Sequence, residues 1–234
     1  MTPANELAAL DREVADCRRC PRLVAWREQV AETKVARHRD ETYWARPVPG
    51  FGDAEARILV LGLAPAAHGG NRTGRVFTGD RSGDFLYRAL FAAGLASSPI
   101  SQRRDDGLTL IGTRISAVVH CAPPANRPTP AERDACLPFL ERELRLLTDL
   151  RVIVALGAFA WDGVLRSLAT LGTPVPRPRP RFGHGAEVRI GPWWIVGSFH
   201  PSQQNVFTGR LTPPMFDAVI ARARGLAAVN PPRP

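Results

Sequence analysis

Apolar positions along this chain change their period repeatedly, and the changes outline strands alternating with helices. Leu7, Leu10 and Val14 share one helical face and predict an N-terminal amphipathic helix ending near Cys17. Residues 27–56 are mostly polar and carry Pro47, Pro49, Gly50 and Gly52, so they read as a long loop. The run Arg57-Ile58-Leu59-Val60-Leu61-Gly62 predicts a buried strand bounded by glycine. A loop dense in glycine follows, from Ala64 to Gly83. Phe85, Leu86, Ala89, Leu90 and Ala93 then mark a helix that Gly94 closes. Ile115 to His120 reads as a second strand. Thr129-Pro130-Ala131-Glu132 is a capping box with proline at the first helical position, and its helix sets Cys136, Phe139, Leu140, Leu144 and Leu147 on one face. Val152 to Leu156 predicts a third strand, followed by Gly157 and a helix through Trp161, Val164, Leu165 and Leu168 that Gly172 stops. The stretch from Pro174 to Arg181 is basic, proline-rich and extended. Trp193 to Val196 gives a fourth strand, running into Gly197-Ser198-Phe199-His200-Pro201-Ser202. Thr212-Pro213 starts a last helix, and a loose tail is expected from Asn230.

This rhythm implies an α/β fold, a mostly parallel sheet covered on both faces. No internal repeat appears and no linker separates two cores, so a single domain over residues 1–234 is expected. Ligands of such sheets bind at the carboxyl ends of the strands. That groups the loops after Gly62, Cys121 and Gly197 around one crevice.

Composition narrows the picture. A chain of 234 residues, 44% of them hydrophobic, can bury a full core. No apolar run approaches the roughly twenty residues of a membrane span, and no secretory signal opens the chain, so a cytoplasmic, nucleoid-associated protein with no membrane partner is expected. The formal charge is +9 and the pI about 10.7. Such an excess points towards a polyanion, with nucleic acid the leading candidate. Lys34 is the only lysine. A genomic bias explains arginine in place of lysine, but not the positive excess itself.

The chain has four cysteines, Cys17 and Cys20 in CRRC, then Cys121 and Cys136 about a hundred residues on. Four thiolates satisfy either a tetrahedral zinc or a four-iron cluster. The second pair is too widely spaced for a zinc knuckle, which favours a cluster on spacing. Disulfides and inert buried thiols are the competing readings.

Three loops carry candidate chemistry. In the stretch from Gly62 to Gly83, small residues allow backbone to approach a flat ligand, and Phe77 is placed to stack on a base. Asp80, between Arg75 and Arg81 in sequence, is either a helix cap or a catalytic carboxylate. The loop lacks the Gly-Lys-Ser/Thr ending of a phosphate-binding P-loop. Cys121-Ala122-Pro123-Pro124-Ala125-Asn126-Arg127-Pro128 presents Asn126, whose amide can read a donor and an acceptor on a base edge. His200-Pro201-Ser202 ends a strand on the crevice, with Asn205, Arg210 and Leu211 nearby.

Together GLAPAAHGGNRTGRVFTGDRSG at 62–83, HCAPPANRPTP at 120–130, FHPS at 199–202 and the cysteines resemble the uracil-DNA glycosylase superfamily, in its iron–sulfur branch known as family 5. The resemblance covers about residues 7 to 228. It implies a three-layer α/β/α fold with a four-stranded, mostly parallel sheet and a [4Fe-4S] cluster on Cys17, Cys20, Cys121 and Cys136. It implies a monomer that hydrolyses the N-glycosidic bond of uracil, and of related deaminated or damaged bases in DNA, leaving an abasic site. The base would be flipped into a pocket, stacked on Phe77 and met by backbone near Gly62 and Ala64, with His68 also in contact with substrate. Asp80, His200 and Asn126 would be the catalytic residues, respectively orienting water, stabilising the leaving base and hydrogen-bonding it. Arg210 and Leu211 would enter the DNA where the base left it. Better-known branches carry a polar or acidic residue just after the first strand. Here Leu63, Ala64, Pro65 and Ala66 are apolar, a pattern family 5 shares and one that fits a broader base tolerance. The alternatives are a non-catalytic iron–sulfur nucleic-acid binder, or a phosphate hydrolase using His68-Gly69-Gly70.

Overall fold

The computed structural model describes residues 2–228, so the tail expected from Asn230 lies outside the described residues. A six-stranded sheet runs, from edge to edge, β1 (Phe51–Gly52), β3 (Thr113–Ala117), β2 (Ile58–Gly62), β4 (Val152–Leu156), β6 (Trp193–Ser198) and β5 (Glu187–Ile190). Its centre is the expected set of four parallel strands, β2, β3, β4 and β6. Alternate residues of these strands serve two cores. Leu59, Leu61, Ile153 and Ala155 pack on one face, and Ile58, Val60, Val152 and Val154 on the other. A strand covered on both faces has no polar side, so its sequence is a continuous apolar run.

The first core is closed by α1 (Pro3–Asp16), α5 (Pro130–Leu146) and α6 (Ala158–Thr170), through residues such as Leu10, Phe139 and Trp161. The second is closed by α4 (Arg81–Ala92) and α8 (Pro213–Ala228), through Leu86, Leu90, Phe216 and Ile220. The capping box of α5 forms as expected, with Glu132 N–H on Thr129 Oγ1 at 3.2 Å and Thr129 N–H on Glu132 Oε2 at 2.7 Å.

Two edge strands depart from the four-stranded expectation. β1 (Phe51–Gly52) and β5 (Glu187–Ile190) pair antiparallel with β3 and β6. Both are short or half-exposed, and edge strands need no long apolar run. Residues 27–56 are likewise not one loop. Pro21 opens α2 (Pro21–Thr33), which buries Leu23, Val24, Arg27 and Val30, and the next helix, α3 (Gly70–Thr73), is a single turn within the glycine loop. The apolar face of α2 is present, but a charged residue stands in the middle of it. β3 ends at Ala117, short of His120; Val118 and Val119 still donate to the Gly62 and Leu63 carbonyls, each at 3.0 Å. Among the described residues, no helix is long and apolar enough to cross a membrane.

Candidate active site and cysteine cavity

An open cleft of about 1280 Å³ lies at the carboxyl ends of the parallel strands. Leu63 to Ala66 line it from the end of β2, Ala117 from β3 and His200 from β6, together with Phe77, Asp80 and Asn126. The expected crevice therefore exists, and it gathers most of the expected residues.

Phe77 and His200 form its aromatic wall, with ring centroids 5.7 Å apart and planes at 30°. A Cβ at Gly62 would come within 2.8 Å of the Phe77 ring. Gly62 thus acts by letting the ring settle on the strand end, and among the described residues it is not part of the cleft lining. Phe77, Ala125 and Asn126 all adopt left-handed backbone, with φ of 51°, 51° and 54°. Non-glycine residues avoid this region unless their surroundings hold them there, and such strain collects at functional sites.

Asp80 caps α4, with Oδ1 accepting from Gly83 N–H at 2.9 Å. It also lines the cleft. Its Oδ2 lies against Gly69, where any Cβ would collide with the carboxylate. Burial raises the Asp80 carboxyl above its usual 3.8, opposed by the Gly83 and Ser82 amides, reinforced by Asp84 and opposed weakly by Arg72. Burial alone pushes the His200 imidazole down from 6.5 to about 4, so the ring is neutral at physiological pH. The loop carrying it is braced by Asn205, whose amide donates to the His200 carbonyl at 2.9 Å.

Other expectations are corrected. Arg75 does not flank the Asp80 carboxylate. It is buried, pairs with Asp106 at 2.8 Å and lies over the Phe51 ring. His68 is turned to Tyr43, with Nδ1 3.0 Å from the hydroxyl, and does not line the cleft. Arg210 is exposed but stacks over Phe199 at 4.5 Å. Leu211 cannot enter DNA, because it is 0% exposed and packed in the second core beneath α8. The turn before α8 buries it to seal the helix start. The exposed apolar residue of that region is Phe207, at 69%. It ends the short helix α7 (Gln203–Phe207), with the Arg81 guanidinium 5.3 Å over its ring. A lone aromatic in the polar stretch after HPS was its sequence signal. Gly69 left no signal beyond being one of many glycines.

The four cysteines line a separate, smaller pocket, with Leu23, Val24, Phe139 and the buried Arg27. Cys17 and Cys20 bracket the turn between α1 and α2, Cys121 follows β3, and Cys136 sits on α5. All four thiols are free. Burial pushes Cys121 up to about 11, partly offset by Arg27, and holds Cys136 further up still. Such thiols give up their protons to a cationic metal centre. Among the described residues, no three of His, Cys, Asp or Glu converge on a point where one metal ion would sit.

The sequence profile of the family described as the uracil DNA glycosylase superfamily matches residues 49–224. A type-5 uracil-DNA glycosylase of Mycobacterium tuberculosis (strain CDC 1551 / Oshkosh) is 54% identical over 229 residues, covering 97% of this chain and 84% of that protein. A type-5 uracil-DNA glycosylase of Thermus thermophilus is 51% identical over 226 residues, covering 94% of this chain and 100% of that protein. A type-4 uracil-DNA glycosylase of Thermotoga maritima is 34% identical over 161 residues, 66% of this chain.

Proposed function

The chain belongs to the uracil-DNA glycosylase superfamily, and from that premise we propose how its cleft cuts uracil from DNA. The protein is a DNA-repair glycosylase of the type-5 kind, acting on uracil. A uracil leaves the base stack and enters the cleft. Phe77 stacks on its face and Asn126 hydrogen-bonds its edge. The bond between C1′ and the base nitrogen breaks, and both electrons leave with the base. Water oxygen forms the new bond to C1′, so the products are an abasic site and free uracil.

Asp80 holds that water through the oxygen its cap leaves free, balances positive charge on the sugar and takes the water's proton. A carboxyl raised by burial is the stronger base. His200 donates a neutral N–H to the oxygen where the departing base gathers negative charge; the solvent then protonates the base. The observation that carries this reading is the convergence of Asp80, neutral His200 and the Phe77 ring in one cleft at the strand ends. The wall from Leu63 to Ala66 offers no polar side chain, which supports acceptance of other deaminated bases. Phe207, in place of Leu211, is the residue proposed to enter the DNA. All these groups come from one chain, in keeping with a monomer that acts as a single domain.

We read Cys17, Cys20, Cys121 and Cys136 as ligands of a [4Fe-4S] cluster. The fit rests on four sulfurs around one cavity and a buried guanidinium donating to one of them. When bound, the cluster supplies a cross-link between the α1–α2 turn, the β3 loop and α5. No step of the hydrolysis passes through it.

The decisive experiment is incubation with a uracil-bearing oligonucleotide, followed by alkali. Strand scission at the uracil and none in the thymine control is the expected result. Intact uracil strands after treatment with iron-replete protein would overturn the reading.

A further inference from the structure

The cysteine cavity contains a cation with no anion to match it. Arg27 is 1% exposed. Its Nη1 donates to Cys121 Sγ at 3.0 Å, and both Nη atoms approach the Cys17 carbonyl at 3.4 Å. Its Nε has no partner among the described residues. The carboxylates nearby are committed elsewhere. Glu132 lines the cavity but takes two bonds from Arg22, each 2.7 Å, and Glu28 faces the surface against Arg18. Desolvating a guanidinium without an opposite charge is unfavourable enough that folded proteins rarely do it.

We infer that Arg27 is the charge partner of the group the cysteines hold. The inference rests on the cluster reading above. Four thiolates and inorganic sulfide make a four-iron cluster anionic, and net charge and hydrogen bonds to sulfur set both its retention and its potential. Arg27 supplies both at Cys121. Its backbone is pinned beneath the cavity, because the Arg27 carbonyl accepts from Asn71 Nδ2 at 3.2 Å, with Asn71 fully buried. Positive charge favours the more reduced, more negative cluster, so Arg27 raises the midpoint potential.

The test compares the purified holoprotein with Arg27→Met, which keeps an apolar stem, and Arg27→Lys, which keeps the charge. Iron and sulfide are assayed first on the unaltered protein; their absence would sink the cluster reading itself. The readouts are iron loss to a chelator and the midpoint potential from a redox titration followed by electron paramagnetic resonance. Arg27→Met is expected to lose iron about tenfold to a hundredfold faster and to show a lower potential, with Arg27→Lys close to the unaltered protein in both. An Arg27→Met protein that keeps its iron and potential would overturn the inference. If Arg27→Met does not accumulate as folded protein, Arg27→Lys decides. Wild-type iron retention supports the charge role, and rapid loss from a folded lysine variant refutes it.

Discussion

The base cleft and the cysteine cavity are built on opposite principles, although one stretch of chain serves both. The cleft is open, about 1280 Å³, and walled by small apolar residues, by Phe77 and Asn126 in left-handed backbone and by a carboxylate held above its ordinary range. The cavity is smaller and walled by sulfur, aliphatic and aromatic side chains and one buried guanidinium. A site that admits and releases its contents keeps strain and unspent hydrogen-bonding capacity. A site that retains its contents spends everything on burial. The connection from β3 to α5 visits both, with Ala117 in the cleft, Val119 to Cys121 in the cavity and Asn126 in the cleft again.

The largest break in this comparison comes from the retaining side. Cys20→Ala removes one of the proposed ligands from a site whose occupation would be coupled to folding. It should lose iron, lower the melting temperature and abolish turnover together. Iron analysis and far-ultraviolet circular dichroism would check this, and an iron-free variant with full activity would contradict it.

Asp80→Asn should do the reverse, leaving iron and fold intact. Its amide oxygen can still cap α4, so the loss belongs to the water. Single-turnover rates should fall by about 10²–10⁴-fold. The pH dependence has a definite sign. The folded carboxyl is raised above 3.8, so it favours the fold at low pH and opposes it once pH rises through the raised value. At neutral pH Asp80→Asn should therefore melt no lower than the unaltered protein, with the difference vanishing below about pH 4. A marked loss of neutral-pH stability would show the carboxylate to be chiefly structural.

His200→Ala should cost about a hundred- to a thousandfold in turnover with little change in DNA affinity. A histidine lowered from 6.5 to about 4 contributes stability above pH 6.5 that is lost as pH falls towards 4. The variant should be spared that loss, as acid denaturation would show. Turnover of the unaltered protein should show no inflection near 6.5. One that disappears in the variant would mean the ring is charged at rest.

The smallest expected effect sharpens the cleft's outer rim. Arg81→Gln, beside Phe207, should weaken binding to uracil-free and uracil-bearing DNA alike. The slope of log affinity against log salt should fall by about one. An unchanged slope would leave Arg81 without a phosphate contact.

Most of the cleft was legible in the sequence because its parts are loop residues next to strands that announce themselves. The runs from Ile58 and Val152 are covered on both faces, and the residues after them fall at one edge of the sheet. What was not legible depends on direction. His68 and Arg75 sit in the right loop but face Tyr43 and Asp106. Leu211 is adjacent to the site in sequence and beneath it in space. Arg27 hid α2, because a cation on a helix face between Leu23 and Val30 reads as a surface position unless something buried requires it. Edge strands β1 and β5 escaped for the related reason that they border little core.

The shared connection from Ala117 to Asn126 bears on how substrate range is measured. Asn126 is held in left-handed backbone only five residues from Cys121. If the proposed cluster is bound at Cys121, loss of its iron would also loosen the stretch that carries Asn126 into the cleft. Kinetic comparisons among damaged bases carry meaning only between batches matched for metal content, and a variant's altered preference is first a question for the iron assay.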